Sequence, residues 1–196
     1  MTPAPVKITV GELLDLGDYE RARDDIRRRA MAARALRRVL VGPNASLSFE
    51  NRETVLYQIQ EMLRAERIAK PQAVAEEAET YAELLPGPQE LAATLMFEFA
   101  EPEVRDRRLR ELVGIEKHLA LEVGAAGKSI ARFDDRQMDA TRVSAVQFVR
   151  FPLGADQVEA LAHGGSCRVV IDHPSYSHGA SMAPVLIEAL LADMRP

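Results

Sequence analysis

Apolar residues along this chain change their spacing near residue 85. Before that point they recur at helical intervals; after it they mostly alternate, as in half-buried strands. A short segment, Lys7 to Val10, opens the chain. Asp18 is placed to cap a long helix reaching about Leu40, which Gly42-Pro43-Asn44 ends. Ser46 to Glu50 alternates like a short strand. Asn51 then caps a second helix, about Arg52 to Ile68, with Val55, Leu56, Ile59, Met62 and Leu63 on its buried arc. Pro71 opens a third helix, about Gln72 to Leu84, which Pro86-Gly87-Pro88 closes.

Beyond residue 90 the pattern predicts strands at Thr94 to Phe99, Leu119 to Val123, Ser129 to Phe133, Ser144 to Phe151 and Arg168 to Asp172. Helices are expected at Pro102 to Val113, Gly154 to Ala162 and Pro184 to Met194. The polar stretch Asp134 to Arg142 reads as a mobile loop. Hairpin-length connections favour antiparallel or mixed pairing. The expected fold is therefore α+β, one domain over residues 1–196. A helical half (about 1–85) forms a layer against the sheet of a strand-rich half (about 90–196).

Composition narrows the classes. The hydrophobic fraction is 47% and the charged fraction 28%, so a conventional core is available. Trp is absent, which leaves that core to aliphatic side chains. No apolar run is long enough for a membrane span, and the start, Met1-Thr2-Pro3-Ala4-Pro5, has no leader pattern. The single cysteine, Cys167, permits no disulfide within the chain, and together these features imply a cytoplasmic protein. A net charge of -5 argues against a nucleic-acid partner. The charge is uneven: residues 19–38 hold eight arginines, while residues 72–83 are acidic. Those two runs read as solvated helix faces of opposite sign.

Three stretches carry candidate chemistry. On the first helix Arg37 falls within the apolar stripe of Tyr19, Ile26, Ala30 and Ala33, with Arg23 and Arg29 beside it. A buried arginine needs an anion. That anion is either a glutamate of the fold (Glu50, Glu61 or Glu98) or a bound carboxylate or phosphate. The second stretch, Phe49-Glu50-Asn51-Arg52-Glu53 with Gln58, Glu61 and Arg64, is either a capped amphipathic helix or one wall of a cleft. The third, Asp172-His173-Pro174-Ser175-Tyr176-Ser177-His178, follows an apolar strand. It is either a structural turn or a source of metal ligands and acid–base groups.

Three apparent motifs carry nothing. Gly124-Ala125-Ala126-Gly127-Lys128-Ser129 ends like a phosphate-binding loop, but Glu122 stands where its first glycine belongs and a strand follows. Asp172, His173 and Ser175 are too close in sequence to face one another as a triad. Cys167 reads as a small buried side chain.

The run Arg37-Arg38-Val39, Val41-Gly42-Pro43-Asn44, Leu47 and Phe49-Glu50-Asn51-Arg52-Glu53-Thr54-Val55, continued by Tyr57 to Ile68, resembles the bacterial domain-of-unknown-function family thirty-five-oh-one. So do Ala93-Thr94-Leu95-Met96 with Glu98, Leu112-Val113-Gly114-Ile115, Ser144-Ala145-Val146 with Phe148 and Arg150-Phe151, and Asp172-His173-Pro174 with Tyr176. The resemblance lends no activity. It implies, by association, a supporting role beside a rubrerythrin-like or iron–sulfur oxidoreductase partner. It also selects Arg37, Arg38, Glu50, Asn51, Arg52, Gln58, Glu61, Arg64, Glu98, Asp172, His173 and Tyr176 as ligand-binding residues expected to share one polar cleft.

The leading functional expectation is a binding or accessory protein with an arginine-lined pocket for an anion and no cofactor. Arg37, Arg38 and Arg64 would neutralise the anion, and Glu50, Asn51 and Gln58 would orient it. One alternative is a metal-dependent enzyme with His173, His178, Glu50 and Glu61 as ligands and Tyr176 as a donor. The other is a structural partner protein that docks through a face such as Leu186 to Met194.

Overall fold

The computed structural model describes residues 7–137 and 139–194. The start of the chain, read above for a leader, and Met138 of the polar loop lie outside them. Helix α1 spans Leu16–Leu36 and is capped by Asp15, whose side chain accepts the Asp18 backbone N–H at 2.8 Å. Asp18 therefore sits inside the first turn rather than at the cap. The helix also ends sooner than its apolar stripe suggests. Arg38–Leu40 leaves it as strand β1 and pairs antiparallel with β2 (Ala45–Phe49). Val39 is buried by that pairing, so tertiary burial overrides the local helical pattern.

Gly42 consequently belongs to the β1–β2 turn, with φ +74°. A Cβ there would stand 2.5 Å from the His178 ring, so the turn requires glycine for both conformation and space. Helix α2 (Arg52–Glu66) begins as predicted: Asn51 Oδ1 accepts the Thr54 N–H, and Thr54 Oγ1 accepts the Asn51 N–H, both at 3.0 Å. Helix α3 (Pro71–Ala82) starts on its proline. Ile8, Val55, Ile59, Leu63, Ala78 and Leu85 give this helical layer a small core of its own.

The remaining strands are β3 (Glu90–Phe97), β4 (Leu119–Val123), β5 (Lys128–Ile130), β6 (Arg132–Phe133), β7 (Val146–Pro152), β8 (Cys167–His173) and β9 (Tyr176–Ser181). Helices α4 (Pro102–Glu111), α5 (Ala155–Ala162) and α6 (Pro184–Asp193) lie between or after them. The strands form two antiparallel sheets rather than one, in the orders β1-β2-β3-β7-β6 and β5-β4-β8-β9. The chain changes sheet at Ala131, which separates β5 from β6.

One apolar core joins both sheets: Leu47, Leu95 and Phe151 from the first, Leu121, Val169 and Ile171 from the second. Alternation along the first sheet leaves its other face more polar. Ser48 pairs with Thr94, Thr94 with Phe148, and Ala92 with Arg150. Helices α2 and α3 lie over that face. Strand β9 was not anticipated, because Tyr176 to Ser181 is polar and reads as an irregular strand end; its partner β8 supplies the pairing.

Candidate functional site

Glu50 stands between the end of β2 and the start of α2, at the junction of sheet and helical layer. Its carboxylate accepts hydrogen bonds from Thr54 Oγ1 (2.6 Å), Gln58 Nε2 (3.1 Å) and Thr94 Oγ1 (2.8 Å). Thr54 and Gln58 lie one and two helical turns into α2, on the face toward the sheet, and Thr94 rises from β3. Only 6% of Glu50 is exposed, and all three donors are neutral. Buried carboxylates normally hold a cation, because desolvating an unmatched charge is unfavourable. Among the described residues, no ion pair reaches Glu50.

Glu50 also lines a broad recess, a cleft of ≈ 1550 Å³. One wall is α3 with the end of α2, including Met62, Tyr81 and Leu85; the other is the outer face of the first sheet, with Ala92 and Phe148. Burial raises the Tyr81 pKa, and the charges of Glu77 and Glu66 raise it further, so negative potential collects on the helical wall. Across the mouth, Arg136 bonds both Asp134 (2.8 Å) and Glu83 (2.6 Å), and Arg150 bonds Glu90 and the Glu83 carbonyl. These contacts tie α3 to the sheet and fix part of the polar loop expected to be mobile.

The opposite flank of α2 is a closed seam. Glu61 accepts from Tyr19 Oη at 2.7 Å and from both Nε and Nη2 of Arg23 at 2.8 Å. Arg23 holds the Glu61 carboxyl down to about 2. Arg64 continues the seam by bonding Glu20 at 2.8 Å. Of the α1 arginines Arg23 thus pairs with α2, while Arg21 and Arg28 pair within α1; among the described residues none pairs with the acidic run of α3.

The expected arginine-lined anion pocket is not what these side chains build. Arg37 is buried, as its position on the stripe implied, but its partner is Asp193 of α6, at 2.5 and 3.1 Å, rather than Glu50, Glu61 or Glu98. Arg38 bonds Glu98 (2.7 and 2.9 Å) and Ser46 (3.2 Å). Arg52 bonds Glu12, at 2.9 Å from Nε. Each of the four candidate arginines already holds a carboxylate, so none offers a free fork to an anion. Of the twelve residues proposed to converge, only Glu50 lines the cleft; Gln58 bonds it, and Asn51 beside it caps α2. The others divide among the α1–α2 seam, the Arg37–Asp193 clamp, the Arg38–Glu98 pair, the Arg52–Glu12 pair and the β8–β9 turn.

That turn is structural in its bonding. His173 is buried; its Nε2 lies 3.2 Å from the Val113 carbonyl, and its Nδ1 accepts the Ser175 N–H at 3.1 Å. Both ring nitrogens are engaged, which fixes the proton on Nε2 and leaves no lone pair for a metal. Tyr176 donates to the Val41 carbonyl at 2.7 Å and accepts the Asn44 N–H at 3.0 Å, pinning the β1–β2 turn. His178 packs edge-on against Tyr176.

Among the described residues, no group of three or more His, Cys, Asp or Glu is arranged to hold a metal ion. The ligand set His173, His178, Glu50 and Glu61 is therefore not assembled: His173 and Glu61 are occupied elsewhere, and Glu50 is held by hydroxyls and an amide. Cys167 is buried, and burial pushes its thiol up to about 11, away from nucleophilic chemistry. His118, which no sequence pattern singles out, joins this turn. Its Nδ1 lies 3.0 Å from Asp172 Oδ1, and its ring packs edge-on on His173 at 5.0 Å. Only the β4–β8 register, Leu119 opposite Ile171, brings positions 118 and 172 together.

Two antiparallel sheets under a helical layer, with a cleft between layer and sheet, define an α+β protein with a recess formed at a layer boundary. The chain belongs to the family described as a protein of unknown function, DUF3501, which matches residues 7–194. It is similar to a solved structure whose title reads as a novel protein of unknown function from Burkholderia pseudomallei K96243. The two share 32% identity and a TM-score of 0.91, over 97% of this chain and 100% of that one. No curated protein matches the chain. Among the described residues, no helix is long and apolar enough to cross a membrane.

Proposed function

We propose that this is a binding or accessory protein whose working surface is the cleft between α2–α3 and the outer face of the first sheet. One observation carries the reading: a carboxylate with 6% exposure forms part of the lining of a ≈ 1550 Å³ recess and receives only neutral donors. A small-molecule site is typically a recess of this kind, mostly apolar with a few convergent polar groups. Tyr81, Phe148, Met62 and Leu85 supply the apolar surface, and Glu50 with its donors supplies direction.

The test is retention. The protein is equilibrated with a small-molecule extract, separated by gel filtration and analysed by mass spectrometry beside an Ala75→Trp variant. Ala75 is exposed and lines the cleft, so a ring there obstructs the recess without entering the core. Compounds retained by the parent and released by the variant support the reading. No retained compound, or equal retention by both, contradicts it.

The accompanying proposal of a rubrerythrin-like or iron–sulfur partner is supported by family association. The buried Cys167 thiol fits a supporting role better than thiol-based electron transfer. Affinity capture followed by partner identification tests it: recovery of such a redox protein supports the proposal, and its absence from the captured set counts against it.

A further inference from the structure

Resting on that reading of the cleft, we infer that its ligand carries an organic cation with N–H donors, an ammonium or guanidinium group on an apolar or aromatic body, and that Glu50 is the anion that receives it.

Three observations lead there. The first is the unmatched charge. Glu61 holds Arg23, Glu12 holds Arg52, Glu98 holds Arg38 and Asp193 holds Arg37, whereas Glu50, more buried than Glu98, has Thr54, Gln58 and Thr94 only. Its Oε2 accepts two bonds and its Oε1 one, while a carboxylate oxygen can accept two. An acceptor position is therefore open on Oε1. A cationic N–H donor placed there would gain a charge-assisted bond in a weakly solvated setting, where such bonds are strongest.

The second is the sign of the surroundings. Carboxylates outnumber basic side chains in the lining. Of the basic ones, Arg136 and Arg150 are committed to Asp134, Glu83 and Glu90, and Lys7 and Arg132 are exposed. The lining carboxylates Glu50, Glu66 and Glu77, which no basic side chain pairs among the described residues, face only the exposed Lys7 and Arg132 as uncommitted cations, a balance that favours a positive ligand. The third is the character of the walls. Tyr81 and Phe148 line the recess from its two sides, and their rings favour a cation or a flat apolar body.

The experiment compares three probes of one shape in the wild-type protein: 2-phenylethylamine, 2-phenylethanol and 3-phenylpropionate. Each is titrated while backbone amide NMR signals are followed, and the amine is repeated with Glu50→Gln. The amine is expected to shift the amides of Thr54, Ala92 and Phe148, to bind at least about tenfold more tightly than the alcohol or the acid, and to lose about tenfold in Glu50→Gln. Tighter binding of the acid or alcohol at those amides overturns the cation inference while leaving the cleft as the binding surface. Amine binding unchanged in Glu50→Gln overturns the role of Glu50. Shifts by none of the three probes at millimolar concentration overturn the inference and count against the cleft itself. The wild-type comparison decides the charge preference even if Glu50→Gln fails to fold.

Discussion

The two flanks of helix α2 treat a buried or half-buried acid in opposite ways. Toward α1, Glu61 is locked by Arg23 on two bonds and by Tyr19 on a third. Toward the sheet, Glu50 is more deeply buried, yet only hydroxyls and an amide approach it. The seam pairs its acid with a cation inside the fold; at the cleft Glu50 meets neutral donors only, with an acceptor position open on Oε1. An acid that the fold itself neutralises explains an interface. An acid that the fold leaves without a cationic partner beside a recess explains a preference for what enters it.

The largest perturbation attacks α2 itself. Ile59 is wholly buried between the two flanks, so Ile59→Ala should cost about 3 kcal/mol through lost burial and the remaining cavity. For a chain of this size that lowers Tm by roughly 6–12 °C and loosens seam and cleft together. A fall under about 2 °C would mean that the helical core is not what holds α2 in place.

Tyr19→Phe isolates the seam. It removes one hydroxyl donor to Glu61 while keeping the buried ring, and should cost about 1–2 kcal/mol in thermal unfolding. Binding in the cleft should be unaffected; reduced binding would show that the two flanks communicate.

Much of this contrast was legible in the sequence, and the part that was not has a physical cause. Asn51, the α2 boundaries and the apolar arc Val55–Ile59–Leu63 follow from short-range capping and periodicity. Glu50 stands out as a polar residue at a strand-to-helix junction, and Gln58 as one at the edge of the α2 apolar arc. Which arginine meets which acid does not follow, because the pairs span the chain: Arg37 and Asp193 are 156 residues apart. For the same reason an arginine-rich helix suggested an anion site where the fold had supplied its own carboxylates. Thr94, Glu50's donor from β3, was visible only as one polar residue in an alternating strand. Strand β1 was hidden within a helical stripe, and β9 within a polar turn, since only pairing with a neighbour decides each.

A smaller effect appears in acid. Arg23's hydrogen bonds depress the Glu61 pKa to about 2 from an ordinary value of 4.5, so the unfolded chain binds the proton more readily. This contribution is fully present above pH 4.5 and is lost as pH falls through about 2. Glu12, depressed to about 2 by Arg52, acts in the same window. Subtracting the stability profile of Glu61→Gln from that of the parent isolates the seam. The difference between the two should shrink from pH 5 to pH 2; a constant difference would mean that Glu61 contributes through packing rather than charge.

The contrast between the flanks is tested most directly by measuring the thermal unfolding of Glu50→Gln and Glu61→Gln side by side at neutral pH. A glutamine at position 61 cannot satisfy Arg23, and Tm should fall by several degrees, corresponding to about 1–2 kcal/mol. At position 50 the hydroxyls of Thr54 and Thr94 can reverse to accept from the new amide, and no cation is abandoned, so stability should stay within about 1 kcal/mol of the parent. A Glu50→Gln protein destabilised as much as Glu61→Gln, or more, would show that the Glu50 charge serves the fold, contradicting its assignment to the cleft.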